Sequence, residues 1–273
     1  MDFIIAAIDP VAFALGPIKV RWYGILIASG IALAYLLAQR ESIRLGMHKD
    51  FLADMLIWAV PIAILSARIY YVAMKWDEYK GDPLRAIAIW EGGIAIHGAL
   101  IGSFITAYIF TKKRNESFLK VADIAVPSIL VGQIIGRWGN FVNQEAYGGN
   151  VSRSFLENLQ LPNWIIEQMY IEKLQSYVHP TFLYESLWNV VGLILLLIAR
   201  KLNWRRGEMF FFYLIWYSVG RFFIEALRTD SLYLIEGVLR SAQVVSIIGI
   251  IVGIVCIIYR RIKVQPVVRY FDK

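Results

Sequence analysis

Hydrophobic residues run along this chain in blocks of about twenty, each closed by a short polar stretch. A helix needs about twenty apolar residues to cross hydrocarbon. Seven such blocks can be marked, from about Val20 to Ala38 and then at roughly 52–74, 94–111, 121–137, 181–199, 208–227 and 242–259. The pattern predicts an all-α polytopic membrane protein with seven transmembrane helices in one integral membrane domain over residues 1–273. Residues 1–17 carry Asp2, Asp9, Pro10 and Pro17 among apolar positions and read as an interfacial segment. No basic stretch precedes a cleavage site, so no removable signal peptide is expected. One connection is long. Residues 148–180 hold Gly148, Gly149, Pro162, Pro180 and the amphipathic stretch WIIEQMYIEKL, and predict a small helical head between spans four and five.

Composition agrees with the pattern. Of 273 residues, 58% are hydrophobic and 18% charged, and the mean hydropathy is +0.56. Soluble chains run nearer half apolar and about a quarter charged. The net charge of +7 would raise nucleic acid as a partner in a soluble protein, but here its placement argues for topology instead. Arg40, Arg44 and Lys49 follow span one, Lys112, Lys113, Arg114 and Lys120 follow span three, and Arg200, Lys201, Arg205 and Arg206 follow span five. The tail holds Arg260, Arg261, Lys263, Arg269 and Lys273. The alternate loops are mixed or acidic, as at Asp77, Glu78, Asp82 and Glu91. The positive-inside rule then puts the N-terminus outside, the C-terminus in the cytoplasm and the head on the outer side. Trp22, Trp76, Trp90, Trp138, Trp204 and Tyr259 sit near span ends and read as interfacial anchors. The single cysteine, Cys256, lies in an apolar span with no nearby base and reads as packing.

Ionisable groups inside the spans change the picture, because each costs at least about 2.5–3.5 kcal/mol there. Arg68 lies deep in span two, Asp123 opens span four and Arg137 closes it. Arg221, Glu225 and Arg228 fall at i, i+4 and i+7, on one face of span six. Simple neutralisation of Arg221 by Glu225 leaves Arg137 and Arg228 without an obvious partner. The stretch Gly132 to Gly148, GQIIGRWGNFVNQEAYG, packs Arg137, Asn140, Asn143, Gln144 and Glu145 onto the end of an apolar run. With the topology above, five spans deliver polar groups to the outer leaflet. They are Tyr23 on span one, His97 on span three, Arg137 and Asn140 on span four, Tyr184 and Glu185 on span five, and Arg221, Glu225 and Arg228 on span six.

Arginines at headgroup depth suit a phosphate, whose oxygens match the guanidinium fork. Asn140 and Asn143 can hydrogen-bond glycerol or ester oxygens, and His97 can take a proton near neutral pH. Gly92, Gly93 and Gly98 around it admit a backbone or a ligand. The scattered His48, His97 and His179 give no metal spacing, and no phosphate-cradling nucleotide loop occurs. On the residues alone the reading is an outer-leaflet phospholipid-binding membrane protein. A transporter with an anion site predicts internal repeats, which are not evident. A scaffold with neutralised charges does not explain why five spans converge on one leaflet.

GRWGNFVNQEAYG at 136–148 resembles the signature of the bacterial prolipoprotein diacylglyceryl transferases. RWYG at 21–24, EGGIAIHG at 91–98, HPTFLYE at 179–185 and GRFFIEALR at 220–228 match other features of that family in the same order. Phe182 stands where some members have glutamine. The resemblance implies transfer of the diacylglyceryl group of phosphatidylglycerol to the lipobox cysteine thiol of a preprolipoprotein. A thioether forms and glycerol phosphate leaves, as the first step of lipoprotein maturation. It implies a site toward the extracytoplasmic leaflet of the bacterial plasma membrane, with no cofactor, no metal and no nucleic acid. It puts the phosphate-binding arginines on Arg137 and Arg221, the essential histidine on His97 and the conserved tyrosine on Tyr23. The signature asparagine, glutamate and glycine fall on Asn140, Glu145 and Gly148, and the carboxylate after the second arginine on Glu225. The expected chemistry is a phosphate clamp by Arg137 and Arg221, oriented by Glu225 and Glu145, with His97 taking or relaying the thiol proton.

Overall fold

The computed structural model describes residues 8–231, 233–235 and 239–272. Asp2 and Lys273 lie outside them. The chain opens with a hairpin, β1 (Val11–Leu15) and β2 (Ile18–Arg21), and continues through α1 (Trp22–Arg44), α2 (Phe51–Met74), α3 (Trp76–Tyr79), α4 (Ile96–Lys113) and α5 (Phe118–Asn143). Then come β3 (Asn150–Val151), α6 (Arg153–Asn158), α7 (Asn163–Gln168), β4 (Tyr170–Ile171) and β5 (Ser176–Val178). The rest is α8 (Thr181–Lys201), α9 (Glu208–Leu227), β6 (Tyr233–Ile235), β7 (Leu239–Arg240) and α10 (Ser241–Lys263). The long helices fall on the apolar blocks of the sequence. Six of them, α1, α2, α5, α8, α9 and α10, are long and apolar enough to cross a membrane. At 18 residues α4 is shorter, and Lys112 and Lys113 close its last turn. Three small antiparallel sheets qualify the all-helical expectation.

The chain divides into two compact units, one of residues up to Ala38 with Asp123–Asp272, the other of Gln39–Ala122. In the first, α1 and α5 meet through small residues. A Cβ on Gly30 would touch the Gly132 Cα at 3.6 Å, and one on Gly136 would touch Ile27 at 3.7 Å. Hydrocarbon does not press helices together as water does, so close backbone approach carries much of the association. A reciprocal clasp joins α8 to α9. Trp188 Nε1 donates to the Trp216 carbonyl at 2.9 Å and Trp216 Nε1 to the Trp188 carbonyl at 3.1 Å. The two indoles stack at 4.2 Å, each lying over a glycine of the other helix, Gly220 or Gly192. Any side chain at either glycine would collide with an indole ring.

Asp123 caps α9 from a different helix, accepting from the backbone N–H of Gly207 at 2.5 Å and of Phe210 at 2.8 Å. A carboxylate there satisfies donors that every helix N-terminus leaves open. Pro127 interrupts the α5 ladder, and Arg200 of α8 donates to the nearby Ile124 carbonyl at 3.1 Å.

Residues 150–178 form a miniature α/β head rather than a helical one. The stretch WIIEQMYIEKL starts as α7 and leaves the helix at Tyr170, where β4 pairs with β5 in a sheet of order β3-β5-β4. A left-handed Gln175, with φ of 47°, makes the reversal possible. Leu156, Ile166, Val178 and Met169 pack there with Phe141 of α5 and Phe182 of α8. The Phe141 and Phe182 rings lie 4.4 Å apart. Phe182 therefore fills an apolar core, where burying such a side chain stabilises by about 1.5–3 kcal/mol.

In the second unit α2 and α4 share another small-residue seam. A Cβ on Gly98 would meet the Ser66 carbonyl and Ala67 Cα, and one on Gly102 the Ser66 side chain. These glycines, and Gly93 against Arg68 and Tyr71, receive α2 rather than a ligand. Outward faces remain apolar: Ile57, Trp58, Leu100 and Phe104 of this unit and Ile251 and Val255 of the first are more than half exposed. Such surfaces are expected against lipid.

Candidate active site

The last two turns of α5 carry Arg137 and Asn140, and a tight turn follows. Gln144 and Ala146 both adopt left-handed φ, 51° and 58°. Residues with a Cβ rarely hold that conformation unless their surroundings enforce it. Here Gln144 Nε2 donates to the carbonyls of Gln168 at 2.8 Å and Tyr170 at 3.0 Å, and Thr181 Oγ1 to that of Ala146 at 2.6 Å. Buried Gln168 returns bonds to the Phe141 and Val142 carbonyls. The turn folds Glu145 back onto α5. Its Oε1 accepts from Asn140 at 3.1 Å and Asn143 at 3.4 Å, and Asn140 Oδ1 accepts from Arg137 at 3.2 Å.

Gly148 explains itself by what surrounds it. Its N–H donates to the His179 carbonyl at 3.1 Å, and the Gly149 N–H donates to that of Leu227 at 3.0 Å. A Cβ on Gly148 would lie 2.7 Å from the His179 Cβ and 2.9 Å from the Leu227 carbonyl oxygen. Only glycine lets the end of α5, the start of α8 and the end of α9 be stitched together at that point.

The charges converge on Glu185, in the second turn of α8 and almost fully buried. Its Oε2 pairs with Arg137 Nε, and its Oε1 accepts from Arg221 Nη1 at 3.2 Å. Arg221 Nη2 lies 2.5 Å from Glu225 Oε2 one turn on, close but not aligned as a hydrogen bond. One carboxylate thus spaces two guanidiniums from different helices. Arg137, which simple neutralisation of Arg221 by Glu225 leaves without an obvious partner, is therefore partnered, through Glu185. So is Arg228, through Asp230 at 2.8 and 2.6 Å. The Arg228 guanidinium holds the Asp230 carboxyl below its ordinary value. His179 is lowered from its ordinary value by burial, and its Nδ1 is 3.3 Å from the Tyr184 hydroxyl.

Tyr23 of α1 joins the same unit through Gly139. A Cβ on Gly139 would sit 2.7 Å from Tyr23 Cδ2, so the ring lies directly on the backbone of α5, two residues from Arg137. The structure thus gathers Tyr23, Arg137, Asn140, Glu145, Gly148, Arg221 and Glu225 within one unit. His97 belongs to the other, in the first turn of α4, with its ring 6.0 Å from that of Tyr70. A cavity of about 10 Å³, room for one water, adjoins Glu185, Asn189, Tyr217 and Arg221.

Sequence reasoning placed Glu185 among the converging polar groups but not in the site. A glutamate one turn into an apolar span signals a buried cation nearby, and two arginines without partners stood available. The Trp188–Trp216 clasp that sets the α8–α9 register was missed. Trp–x–x–x–Gly in GRFFIEALR's helix and Gly four residues after Trp188 carry the signal, a large ring and a small residue at matching helical spacing.

These features define a polytopic α-helical membrane protein whose bundle holds a buried arginine–carboxylate network. A family model described as prolipoprotein diacylglyceryl transferase matches residues 10–259. The chain is 69% identical over 272 residues to the phosphatidylglycerol–prolipoprotein diacylglyceryl transferase of Lysinibacillus sphaericus, covering 100% of this chain and 99% of that protein. It is 54% identical to the similarly named protein of Halalkalibacterium halodurans, over 100% and 93% of the two chains. For that of Bacillus mycoides the identity is 58% over 97% of each. The chain belongs to the prolipoprotein diacylglyceryl transferase family and is a transferase.

Proposed function

We propose that this chain moves the diacylglyceryl group of phosphatidylglycerol onto the lipobox cysteine of a preprolipoprotein, at the extracytoplasmic leaflet of the bacterial plasma membrane. The reading includes seven spans, α4 among them, with the N-terminus outside, the C-terminus inside and the head of residues 150–178 extracytoplasmic. The observation that carries the chemistry is the sharing of Glu185 by Arg137 and Arg221. The guanidinium fork matches phosphate oxygens as it does a carboxylate, and the bonds found among the described residues use only part of each arginine's five N–H donors.

The nucleophile is the cysteine thiolate, since a free thiol ionises near pH 8.5 and only the thiolate attacks. Its sulfur attacks the glycerol carbon that bears the phosphate. A C–S bond forms, the C–O bond breaks, and the electron pair leaves on the phosphate oxygen of glycerol phosphate. Arg137 and Arg221 stabilise that developing charge, which costs little reorganisation because Glu185 already spaces them. His97 takes or relays the thiol proton. Asn140 and Asn143 hydrogen-bond the lipid's glycerol or ester oxygens, Glu145 orients the clamp through Asn140 and Arg137, Glu225 steadies Arg221, and Tyr23 and Gly148 keep the walls in place. No metal or covalent enzyme intermediate enters this scheme.

The test is a mass-shift assay with purified protein, phosphatidylglycerol and a lipobox peptide in detergent. A diacylglyceryl mass should appear on the cysteine peptide, not on its Cys→Ser form, and should vanish with Arg137→Ala. No adduct while the lipid still binds would refute the reaction and favour an anion-binding transporter, to be followed by a liposome flux assay.

A further inference from the structure

Arg68 has no place in the mechanism above, yet it is among the most deeply buried charges of the second unit, 3% exposed. Its hydrogen bonds go to backbone carbonyls. Nε donates to Ala86 at 2.8 Å, Nη2 to Arg85 at 2.6 Å, and Nη1 to both Gly92 at 2.5 Å and Gly93 at 2.9 Å. The Tyr79 ring lies 5.2 Å from the guanidinium carbon. A lysine, with one nitrogen, cannot reach acceptors spread over residues 85–93 in this way.

The bound carbonyls belong to the segment that delivers the chain into α4. Gly92 and Gly93 both take positive φ, 84° and 71°, a conformation that costs glycine little and aims both carbonyls at Arg68. A Cβ on Gly93 would stand 2.7 Å from Arg68 Nη1 and from Tyr71 Cε1. Two residues on, the Ala95 N–H donates to the Ala67 carbonyl at 3.1 Å, beside Arg68 on α2. His97 follows as the second residue of α4, and Gly98 sits tight against Ser66 and Tyr70.

We infer that Arg68 is a positioning residue for His97, acting through the carbonyls of Gly92 and Gly93. The inference rests on the reading of His97 as a working group in transfer. It explains why a cation is kept in span two and why EGG precedes the histidine: the glycines shape a cradle for the guanidinium, and the guanidinium sets where α4 begins.

The experiment is histidine-selective ¹⁵N NMR of the full chain in detergent, wild type against Arg68→Lys, with kcat and KM from the mass-shift assay. The His97 resonance should move while those of His48 and His179 stay. Turnover should fall roughly tenfold or more, with KM for phosphatidylglycerol within about twofold. An unmoved His97 signal overturns the inference, as does movement of all three histidines, which marks a general disturbance. If Arg68→Lys does not fold, Gly93→Ala puts a methyl against the same guanidinium and is read the same way. Full turnover by His97→Asn would sink the reading of His97 itself, while the resonance shift would still report the coupling.

Discussion

The two ends of α5 both gather charge, and they spend it differently. At the Asn143 end, Arg137 and Arg221 are held by the side chain of Glu185, and Asn140 by that of Glu145. At the other end most charges bind backbone. Asp123 holds the N–H groups of Gly207 and Phe210, and Arg205 Nη1 reaches the carbonyls of Arg260 and Arg261, both at 3.1 Å. Arg260 donates to the Arg206 carbonyl at 2.7 Å and Arg269 to that of Asn203 at 3.2 Å. These bonds dock the tail, whose Tyr270 is fully buried, onto the turn before α9. A side-chain partner can be exchanged for a ligand by rotating a few bonds. A backbone partner cannot be surrendered without moving the chain. On the proposed function, the Asn143 end is the one able to hand its arginines to a ligand, while the Asp123 end holds helices.

Conservative swaps at each end test this most sharply. Arg221→Lys keeps the charge that Glu185 and Glu225 need but loses the fork. Transfer should fall by about 10²–10³-fold, the size found when one transition-state donor is removed, with thermal stability nearly unchanged. Arg137→Lys should behave alike. Asp123→Asn keeps shape but leaves one of two buried N–H groups poorly paired, at about 1–3 kcal/mol. Thermal denaturation should register that loss, while transfer per folded molecule falls far less than with Arg221→Lys. Equal effects of the two swaps on both readouts would erase the distinction.

How much of this was legible beforehand follows the same division. The long helices were readable because twenty apolar residues have few other fates. Arg137, Arg221 and Glu225 stood out because charge inside an apolar run demands a reason, and Asn140 and Glu145 because they crowd the polar end of one. What the sequence hid were pairings across helices, because helix register is set by contacts far apart in the chain. Glu185 is 48 residues from Arg137 and 36 from Arg221, as their positions give, and nothing local joins them. Arg228 seemed unpartnered although Asp230 stood two residues away, since an interval of two does not bring side chains together on a helix. α9 ends at Leu227, and past that end the interval no longer forbids the bond. The mixed architecture of the head was hidden too, as the sheet rests on turns at Gln144 and Gln175 that use left-handed residues other than glycine.

Gly139→Ala asks whether the tyrosine on the α5 backbone matters to the arginine end. The added methyl must push aside a ring whose nearest carbon would be 2.7 Å away. Overpacking of this kind costs about 1–3 kcal/mol. Because Tyr23 and Arg137 flank the same turn of α5, turnover should drop about tenfold, a loss of about 1.4 kcal/mol in the barrier. Combining the change with Tyr23→Ala should restore packing without restoring transfer. A Gly139→Ala enzyme of full activity would show that the tyrosine's place is not used.

The smallest expected effect sits just beyond the network, where Arg228 and Asp230 form an ion pair with the aspartate half exposed. Its carboxyl ionises below the ordinary 3.8 because Arg228 hydrogen-bonds the charged form. The unfolded chain therefore binds the proton more readily, so stability rises with pH across the interval between the two values. The pair's contribution is present above about pH 3.8 and is lost as pH falls through the lower folded value. Exposure limits it to about 1 kcal/mol at most. Denaturation of wild type and Asp230→Asn at about pH 5 and again near pH 2.5 measures it as the gap that closes on acidification. This pair is a side-chain contact like those of Glu185, but it is open to water, so its loss should leave transfer nearly intact. A transfer defect in Asp230→Asn as deep as that of Arg221→Lys would extend the working network to Arg228 and move its boundary past the end of α9.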